Sequence, residues 1–324
     1  MALITDPPPA EVAADLAALK RDLDLTLPPK VLDRSLLIAT WNIRSFGGLT
    51  EKWAAEASDS PKRDLHAALC IAEIISRFDV VALQEVTSKL KALRRVLKVL
   101  GDNWGLILTD VTRGDPGNRE RLAFLFDKRK VQLSGLACEL VVPHDWLSAI
   151  DADALTRQFA RTPYAVSFKW GRKTFILVTL HVLYGDNRSD RVPELTAIAQ
   201  WLADWAANIN AWDHNLILLG DFNIDRVGDQ LYDAFTSTGL HVPDKLNTVP
   251  RTLFSDPRKP EKWKFYDQIA WFNGAGNLPR LSMQCTDAGY YNFTETTLQS
   301  RGLTKSQLSW RISDHFPLWA EFAV

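Results

Sequence analysis

The sequence predicts an α/β protein in which two packed β-sheets carry helices on their outer faces. Three observations predict it. Apolar strand-like runs alternate with amphipathic helices near the N-terminus, which is the mark of a layered α/β fold. In the middle of the chain several strand-like runs follow one another with no helix between them, so a mixed or antiparallel sheet is required. The 324 residues, 46% of them hydrophobic, also supply enough apolar mass for a real core. No repeat, low-complexity segment or linker divides the chain.

Residues 1–34 read as an N-terminal appendage, helical or flexible. A PPP run is followed by EVAADLAALKRDLD, with Val12, Leu16 and Leu19 on one helical face, and then by LPPK. Residues 35–324 read as the main domain. SLLIATWN is a buried strand that turns polar at Asn42 and reaches Gly47 and Gly48. RDLHAALCIAEIISRF is a helix with Leu65, Leu69, Ala72 and Ile75 along one stripe, and it feeds the short apolar run DVVALQEV. WGLILTDV, RLAFLF, VQLSGLACELVV, YAVSFKW and TFILVTLHV are the strand-rich middle. A helix from about Pro193 to Asn210, with Leu195, Ile198, Leu202, Trp205 and Ile209 on one side, delivers the strand NLILLGDFNID. FYDQIAWF, RLSMQC and FPLWAEFAV close the chain as strands around a looser stretch between Thr294 and Ser309.

Charge and cysteine content narrow the function classes. With 38 Lys plus Arg against 39 Asp plus Glu, the net charge of −1 argues against coating of nucleic acid by bulk charge, so a polyanion must be handled locally. Cys70, Cys138 and Cys285 lie far apart and form no Cys-x-x-Cys pair, which points to a cytoplasmic or otherwise reducing compartment. No signal peptide, membrane span or stable membrane association is expected. The 12 tryptophans are scattered, which suits core or groove packing better than a stacking platform for bases. The basic runs KLKALRRVLK, with Lys91, Arg94, Arg95 and Lys98, and RKPEKWK, near Trp263, are candidate phosphate tracks but read more simply as solvated faces.

The chemistry lies at strand ends. Asn42 follows LLIATW, Glu85 follows DVVALQ, His181 follows FILVTL, and Asp221 and Asn223 follow NLILLG. Asp267 in FYDQIAW and Asp314 and His315 before FPLWAEF add three more polar groups at strand edges. Strand ends of α/β sheets are where ligands usually bind. Each residue alone reads as a turn or cap, but the set together is a hard-cation site with two histidines beside it. Oxygen donors without cysteine suit Mg²⁺, with Mn²⁺ or Ca²⁺ as alternatives. No HExxH, GxSxG, Walker or GxGxxG motif is present, which leaves metal-assisted hydrolysis of a phosphate ester.

The blocks ATWNIRSFGG, DVVALQEV, RERLAFLF, FARTP, VTLHV, LGDFNID, YDQIA and RISDHFP occur in order between Leu36 and Phe322. In them the chain resembles the endonuclease/exonuclease/phosphatase superfamily, most of all deoxyribonuclease I and related bacterial nucleases. The resemblance implies a four-layer α/β sandwich, with two mixed sheets face to face and helices outside. It implies that Glu85 is a metal carboxylate, that Asn42 lies by metal and phosphate, and that Asp314 helps hold a metal. Asp221 and Asn223 match the pair that positions the attacking water and the phosphoryl oxygens. His315 matches a histidine at the scissile phosphate oriented by Asp267, and His181 matches a second histidine partnered by Glu120. Arg44 and Arg161 match basic residues near the phosphate. A carboxylate behind each imidazole fixes its tautomer and raises its basicity, so the two histidines can act as base and acid. His315 is the first choice for the base and His181 for the acid, with the exchange left open. His66, His144, His214 and His241 read as surface or core residues.

The expected activity is divalent-metal-dependent hydrolysis of phosphodiesters, with DNA as partner and the protein a monomer. A phosphatase or phosphodiesterase on inositol phosphates or phospholipids, and a non-catalytic binding protein of the same fold, are the alternatives. Thr87 and Asn118 stand where deoxyribonuclease I places an arginine and a tyrosine in the minor groove, which puts duplex preference in question.

Overall fold

The computed structural model describes residues 2–111, 119–140, 161–185, 187, 191–207, 215–274 and 278–323. Two six-stranded sheets form its centre. The first contains β1 (Leu36–Phe46), β2 (Val80–Thr87), β3 (Trp104–Leu108), β4 (Glu120–Asp127), β11 (Gln284–Tyr290) and β12 (Leu318–Ala323), in the order β11-β12-β1-β2-β4-β3. The second contains β5 (Gln132–Glu139), β6 (Tyr164–Trp170), β7 (Lys173–His181), β8 (Leu216–Asp221), β9 (Leu240–His241) and β10 (Asp267–Phe272), in the order β5-β6-β7-β8-β10-β9. β1 runs parallel to β2 and β7 parallel to β8, while the other pairs are antiparallel, so both sheets are mixed as expected.

The inner strands β1, β2 and β4 of the first sheet read as apolar runs because both faces are buried. Leu36 and Ile38 of β1, Val80 and Ala82 of β2, and Leu122, Phe124 and Phe126 of β4 point into the space between the sheets. Their alternates, Leu37, Ala39, Trp41, Val81, Leu83, Ala123 and Leu125, pack against helices on the outer face. Between the sheets Phe124 meets Phe168 edge-on at 5.7 Å, and Phe168 stacks on Phe175 at 5.8 Å. Each fully buried side chain of this size contributes about 1.5–3 kcal/mol.

The helices are α1 (Ala10–Thr26), α2 (Leu65–Ile75), α3 (Lys91–Leu100), α4 (Val192–Ala207), α5 (Gln230–Thr236) and α6 (Lys305–Ser309). Asp64 caps α2 by accepting from the Ala67 N–H, and Thr304 with Gln307 forms a capping box on α6. On α4, Leu195, Ile198 and Leu202 are buried as predicted and Trp205 is half-buried, whereas Ile209 lies outside the described residues.

Two elements differ from the sequence reading, and a third takes one of the two forms expected. α2 is not a one-stripe helix: Leu69 is half-buried while His66, Ala67, Ala68 and Ile74 are buried, because α1 and α3 cover it from outside. The last-third strand expected at RLSMQC begins later, at Gln284, so that only the last two residues of the block join it, while Arg280 makes an isolated bridge to Asn273. The run after the PPP motif is a packing helix. Leu19 and Leu23 of α1 are buried in the outer core, and Asp15 accepts hydrogen bonds from the Ser300 N–H and hydroxyl.

The segment after α1 also closes one end of the first sheet. Lys30 Nζ lies 2.7 Å from Asp127, and Lys130 Nζ lies 2.8 Å from Asp79. Asp79 precedes β2 and accepts the Leu37 N–H at 2.8 Å, which ties β1 to β2 at their shared start. No described helix is long and apolar enough to cross a membrane.

Candidate active site

The opposite ends of the same strands carry the polar cluster. In the second sheet His181, Asp221 and Asp267 stand in one row, because β7 pairs His181 with Asp221 and β10 pairs Asp267 with Asp221. Gly220 makes the close approach of β7 and β8 possible. A Cβ there would fall 2.1 Å from the Leu180 carbonyl oxygen, and its φ of +153° lies in the region L side chains avoid.

In the first sheet Asn42 stands opposite Gln84, and the register then slips between Asn42 and Phe46 and between Leu83 and Val86. Glu85 falls inside this bulge with a φ of +58°, and Ser45 beside it has a φ of +46°. The irregular backbone re-aims both residues, and the Glu85 carboxylate accepts the Ser45 N–H at 2.8 Å. Asn223 has a φ of +51°. Three non-glycine residues in the left-handed region within one polar cluster concentrate backbone strain there.

Each principal contact bridges the two sheets. Glu120, at the start of β4, reaches His181 with Oε2 3.1 Å from Nδ1. Asn42 of β1 donates through Nδ2 to Asp221 Oδ2 at 2.9 Å. His315, just before β12, places Nδ1 2.7 Å from Asp267 Oδ2. His181 Nε2 in turn lies 3.6 Å from Asp221 Oδ2. The seam between the sheets therefore closes on two carboxylate-backed imidazoles with Asp221 between their strands.

The electrostatics of the two pairs differ. Burial works against a charge on His315, but Asp267, with Asp221 and Asp314 behind it, outweighs burial and pushes the imidazole up to about 10. Burial also raises Asp267, and Asp221 adds to that, while His315 and Arg251 pull the other way. At neutral pH the proton of this pair belongs on His315, because the 2.7 Å contact gains most as imidazolium and carboxylate. Burial would raise Glu120 as well, yet its hydrogen bond and charge contact with His181, together with Arg161, hold it below its usual range.

The remaining predicted residues fall close by. Asn223 donates its backbone N–H to Asp221 Oδ1 at 2.9 Å and its side-chain Nδ2 to the Val182 carbonyl at 2.7 Å. Arg161 is buried, with Nε 2.6 Å from Glu120. Arg44 is half-buried, stacks on Trp310 at 3.7 Å and lies 3.5 Å from Asp314. Of the basic run on α3, Lys91 and Arg95 pair with Glu51. His144, His214 and Asn118 lie outside the described residues.

Several residues that hold the cluster carry no signal in the sequence. The Ser313 hydroxyl donates to the Asn42 carbonyl at 2.6 Å and accepts the His315 N–H at 3.1 Å. Trp41 Nε1 donates to the His315 carbonyl at 2.8 Å. Arg63 is fully buried and donates to the carbonyls of Arg44, Ser45, Arg311 and Ile312, which joins the β1 end to the loop before His315. Arg251, also fully buried, donates to the Asp267 carbonyl at 2.7 Å. Glu194 on α4 accepts the Leu183 N–H and is raised by burial to about 7, with Arg161 and His181 opposing. Only Ser313 had an available cue, its place in the SDH block.

The donor set fits a hard divalent cation. Asn42 Oδ1 and Asp267 Oδ1 are buried acceptors with no hydrogen-bond partner among the described residues, and such orphaned oxygens are costly unless a ligand meets them. Asp221 and Asp267 present carboxylate oxygens within 4.8 Å of each other and of the His315 ring. Carboxylate and amide oxygens are the donors expected for Mg²⁺ or Mn²⁺ rather than for a thiolate-bound metal.

Comparison with known proteins agrees with the fold. A family model described as Endonuclease/Exonuclease/phosphatase family matches residues 39–310. A protein named Deoxyribonuclease from Thioalkalivibrio sp. (strain K90mix) is 27% identical over 307 residues, covering 92% of this chain and 74% of its own length. Among solved structures, D. rerio TDP2 complexed with a single-strand DNA product superposes with a TM-score of 0.54 at 14% identity, covering 90% of this chain and 100% of that one. A mannosyl-6-phosphatase of Bacteroides thetaiotaomicron gives a TM-score of 0.55 at 18% identity, covering 89% of this chain and 100% of that one. These two likenesses concern the fold.

Proposed function

The chain belongs to the Endonuclease/Exonuclease/phosphatase family, and on that premise we propose that it is a divalent-metal-dependent phosphodiesterase acting on DNA. One observation carries the reading: His181 backed by Glu120 and His315 backed by Asp267 flank Asp221 at a single seam. A relative named Deoxyribonuclease, 27% identical over 92% of this chain, supports DNA over a smaller phosphate ester.

Phosphodiester hydrolysis needs an in-line water, relief of charge on the non-bridging oxygens and a proton for the leaving oxygen. Glu85 and Asn42, with Asp314 beside Arg44, are the residues that would hold Mg²⁺. The bound cation supplies Lewis-acid stabilisation of phosphoryl charge. Asp221, fixed by the Asn223 N–H and the Asn42 amide, orients the water. His315 enters with its proton held by Asp267, so its Nε2–H is placed to donate to an oxygen of the reacting phosphate. His181, with Nδ1 on Glu120, presents Nε2 beside Asp221 as the acceptor for the water's proton. This assignment reverses the order first expected from the sequence. Arg44 neutralises phosphate at the rim, and Arg161 acts through Glu120.

The test uses purified protein and supercoiled plasmid. Nicking in Mg²⁺ that stops on addition of EDTA is the expected result. Intact plasmid, together with phosphate release from an inositol phosphate or phospholipid, would overturn the DNA reading in favour of a phosphatase.

A further inference from the structure

The described residues expose ten large hydrophobic side chains, and the three aromatic ones among them, Tyr184, Phe254 and Trp310, are all tied to the candidate active site. Single exposed apolar residues are ordinary. Their coincidence around one seam is not.

Tyr184 is 54% exposed, yet its ring is fixed. It meets Tyr266 edge-on at 6.3 Å and hydrogen-bonds to it, and Tyr266 stacks on the His315 imidazole at 5.8 Å. The Arg191 guanidinium covers the Tyr184 ring at 4.8 Å and is itself held by the Asn223 carbonyl and by Asp225 at 3.1 Å. The segments that fix Asp221 and Asp267 thus also fix this ring. The contacts of 6.3 and 5.8 Å keep it within about 12 Å of His315. At about 3.4 Å of rise per nucleotide, that is a few nucleotides from the reacting phosphate.

Trp310 is 48% exposed and lies under Arg44, which reaches Asp314 next to His315. Phe254, 54% exposed, follows Thr252, whose backbone bridges His315. An open aromatic face beside a cationic site can stack a base of any identity, but only a base not already stacked in a duplex.

We propose that Tyr184 and Trp310 are stacking platforms for unpaired bases of a single DNA strand on the two sides of the reacting phosphate. The inference rests on the phosphodiesterase reading and adds the strand state of the substrate.

The experiment uses single-stranded oligodeoxynucleotides of one sequence, intact or with one tetrahydrofuran abasic spacer placed at successive positions around the cleaved bond. In the wild type, a spacer at each stacked position is expected to lower kcat/KM by about tenfold, from the typical worth of a base–aromatic stack. Tyr184→Ala is expected to lose about tenfold on the intact strand and to become insensitive to the spacer at one position, and Trp310→Ala likewise at another. Tyr184→Phe keeps the spacer sensitivity, and Leu25→Ala, exposed far from the site, serves as control. The inference is wrong if the alanine variants cleave the intact strand like the wild type, or if their losses are the same at every spacer position. If the wild type nicks supercoiled plasmid but cleaves no single-stranded oligonucleotide, the inference falls and the phosphodiesterase reading stands; if it cleaves neither, that reading falls and the inference with it.

Discussion

The two ends of the paired sheets each bury carboxylates, and they answer them in opposite ways. At one end Asp79 and Asp127 are met by Lys130, Lys30 and Arg129 at 2.8, 2.7 and 2.6 Å. Against burial, Arg129 and Lys30 hold Asp127 far below the usual carboxylate range, whereas burial prevails over the two lysines at Asp79 and raises it. At the other end neither Asp221 nor Asp267 forms an ion pair with a lysine or arginine among the described residues, and their partners are imidazoles and an amide. Burying a charge without a partner costs several kcal/mol. The His315 imidazolium answers Asp267, but Asp221 has no lysine or arginine among the described residues, and the end left short of positive charge is the one fit for a ligand.

The contrast can be broken from either end. The largest expected effect is at the uncompensated end. Asp221→Asn keeps the size of the side chain and one of the two acceptors that serve the Asn42 amide and the Asn223 N–H, and removes one of two neighbouring negative charges. Hydrolysis is expected to fall about a hundredfold or more, from loss of the group that orients the water. Stability should stay level or rise, by up to about 2 kcal/mol, since no lysine or arginine among the described residues pairs with that charge and Asp267 still holds the His315 imidazolium. Turnover and urea midpoints measured on one preparation test both halves. A variant as active as the parent, or one destabilised by several kcal/mol, would contradict the contrast.

The second effect is its mirror image. Lys130→Met leaves Asp79 wholly buried with only Lys30, 3.6 Å away, as a cationic partner. Removing one member of a buried pair typically costs about 3–5 kcal/mol. The same substitution in an Asp79→Asn background should cost less, because no unpaired charge remains. Turnover per folded molecule should not change, since this end is remote from the seam. Equal losses in both backgrounds would mean that Lys130 acts by packing alone.

How much of this was legible in the sequence follows the same physics. The strands and layers were legible because strands buried on both faces must be apolar runs, as β1, β2, β4, β7 and β8 are. The site residues were legible as the polar residues that end those runs. Their partners were not. The bulge at Glu85, the link from Ser313 to Asn42 and the carbonyl bonds of Arg63 and Arg251 join segments far apart in the chain, and no local pattern encodes them. The same holds for α1, whose amphipathic stripe announced a helix but not that it would lie over α2 and surround His66.

His66 gives the smallest effect and a third way of burying a titratable group, with neither a full set of cations nor a ligand site. It is completely buried on α2, both ring nitrogens lack a hydrogen-bond partner among the described residues, and Asp15 of α1 lies 3.6 Å from Nε2. Burial, aided by the charge of Arg301, lowers its pKa from 6.5 to about 4, while Asp15 and Asp64 pull weakly the other way. The unfolded chain therefore takes up this proton first as the pH falls. The stability involved is complete above the unfolded pKa of 6.5 and is lost progressively down to about 4, where the folded protein binds the proton too. The loss reaches about 3 kcal/mol at most, and about 2 kcal/mol of it falls between pH 7 and 5. In His66→Leu this component disappears, so urea unfolding at the two pH values should show a smaller acid sensitivity by about that amount. If variant and wild type lose stability in parallel, His66 is not the group through which acid loosens α1 from α2, and the acid response belongs to the buried carboxylates instead.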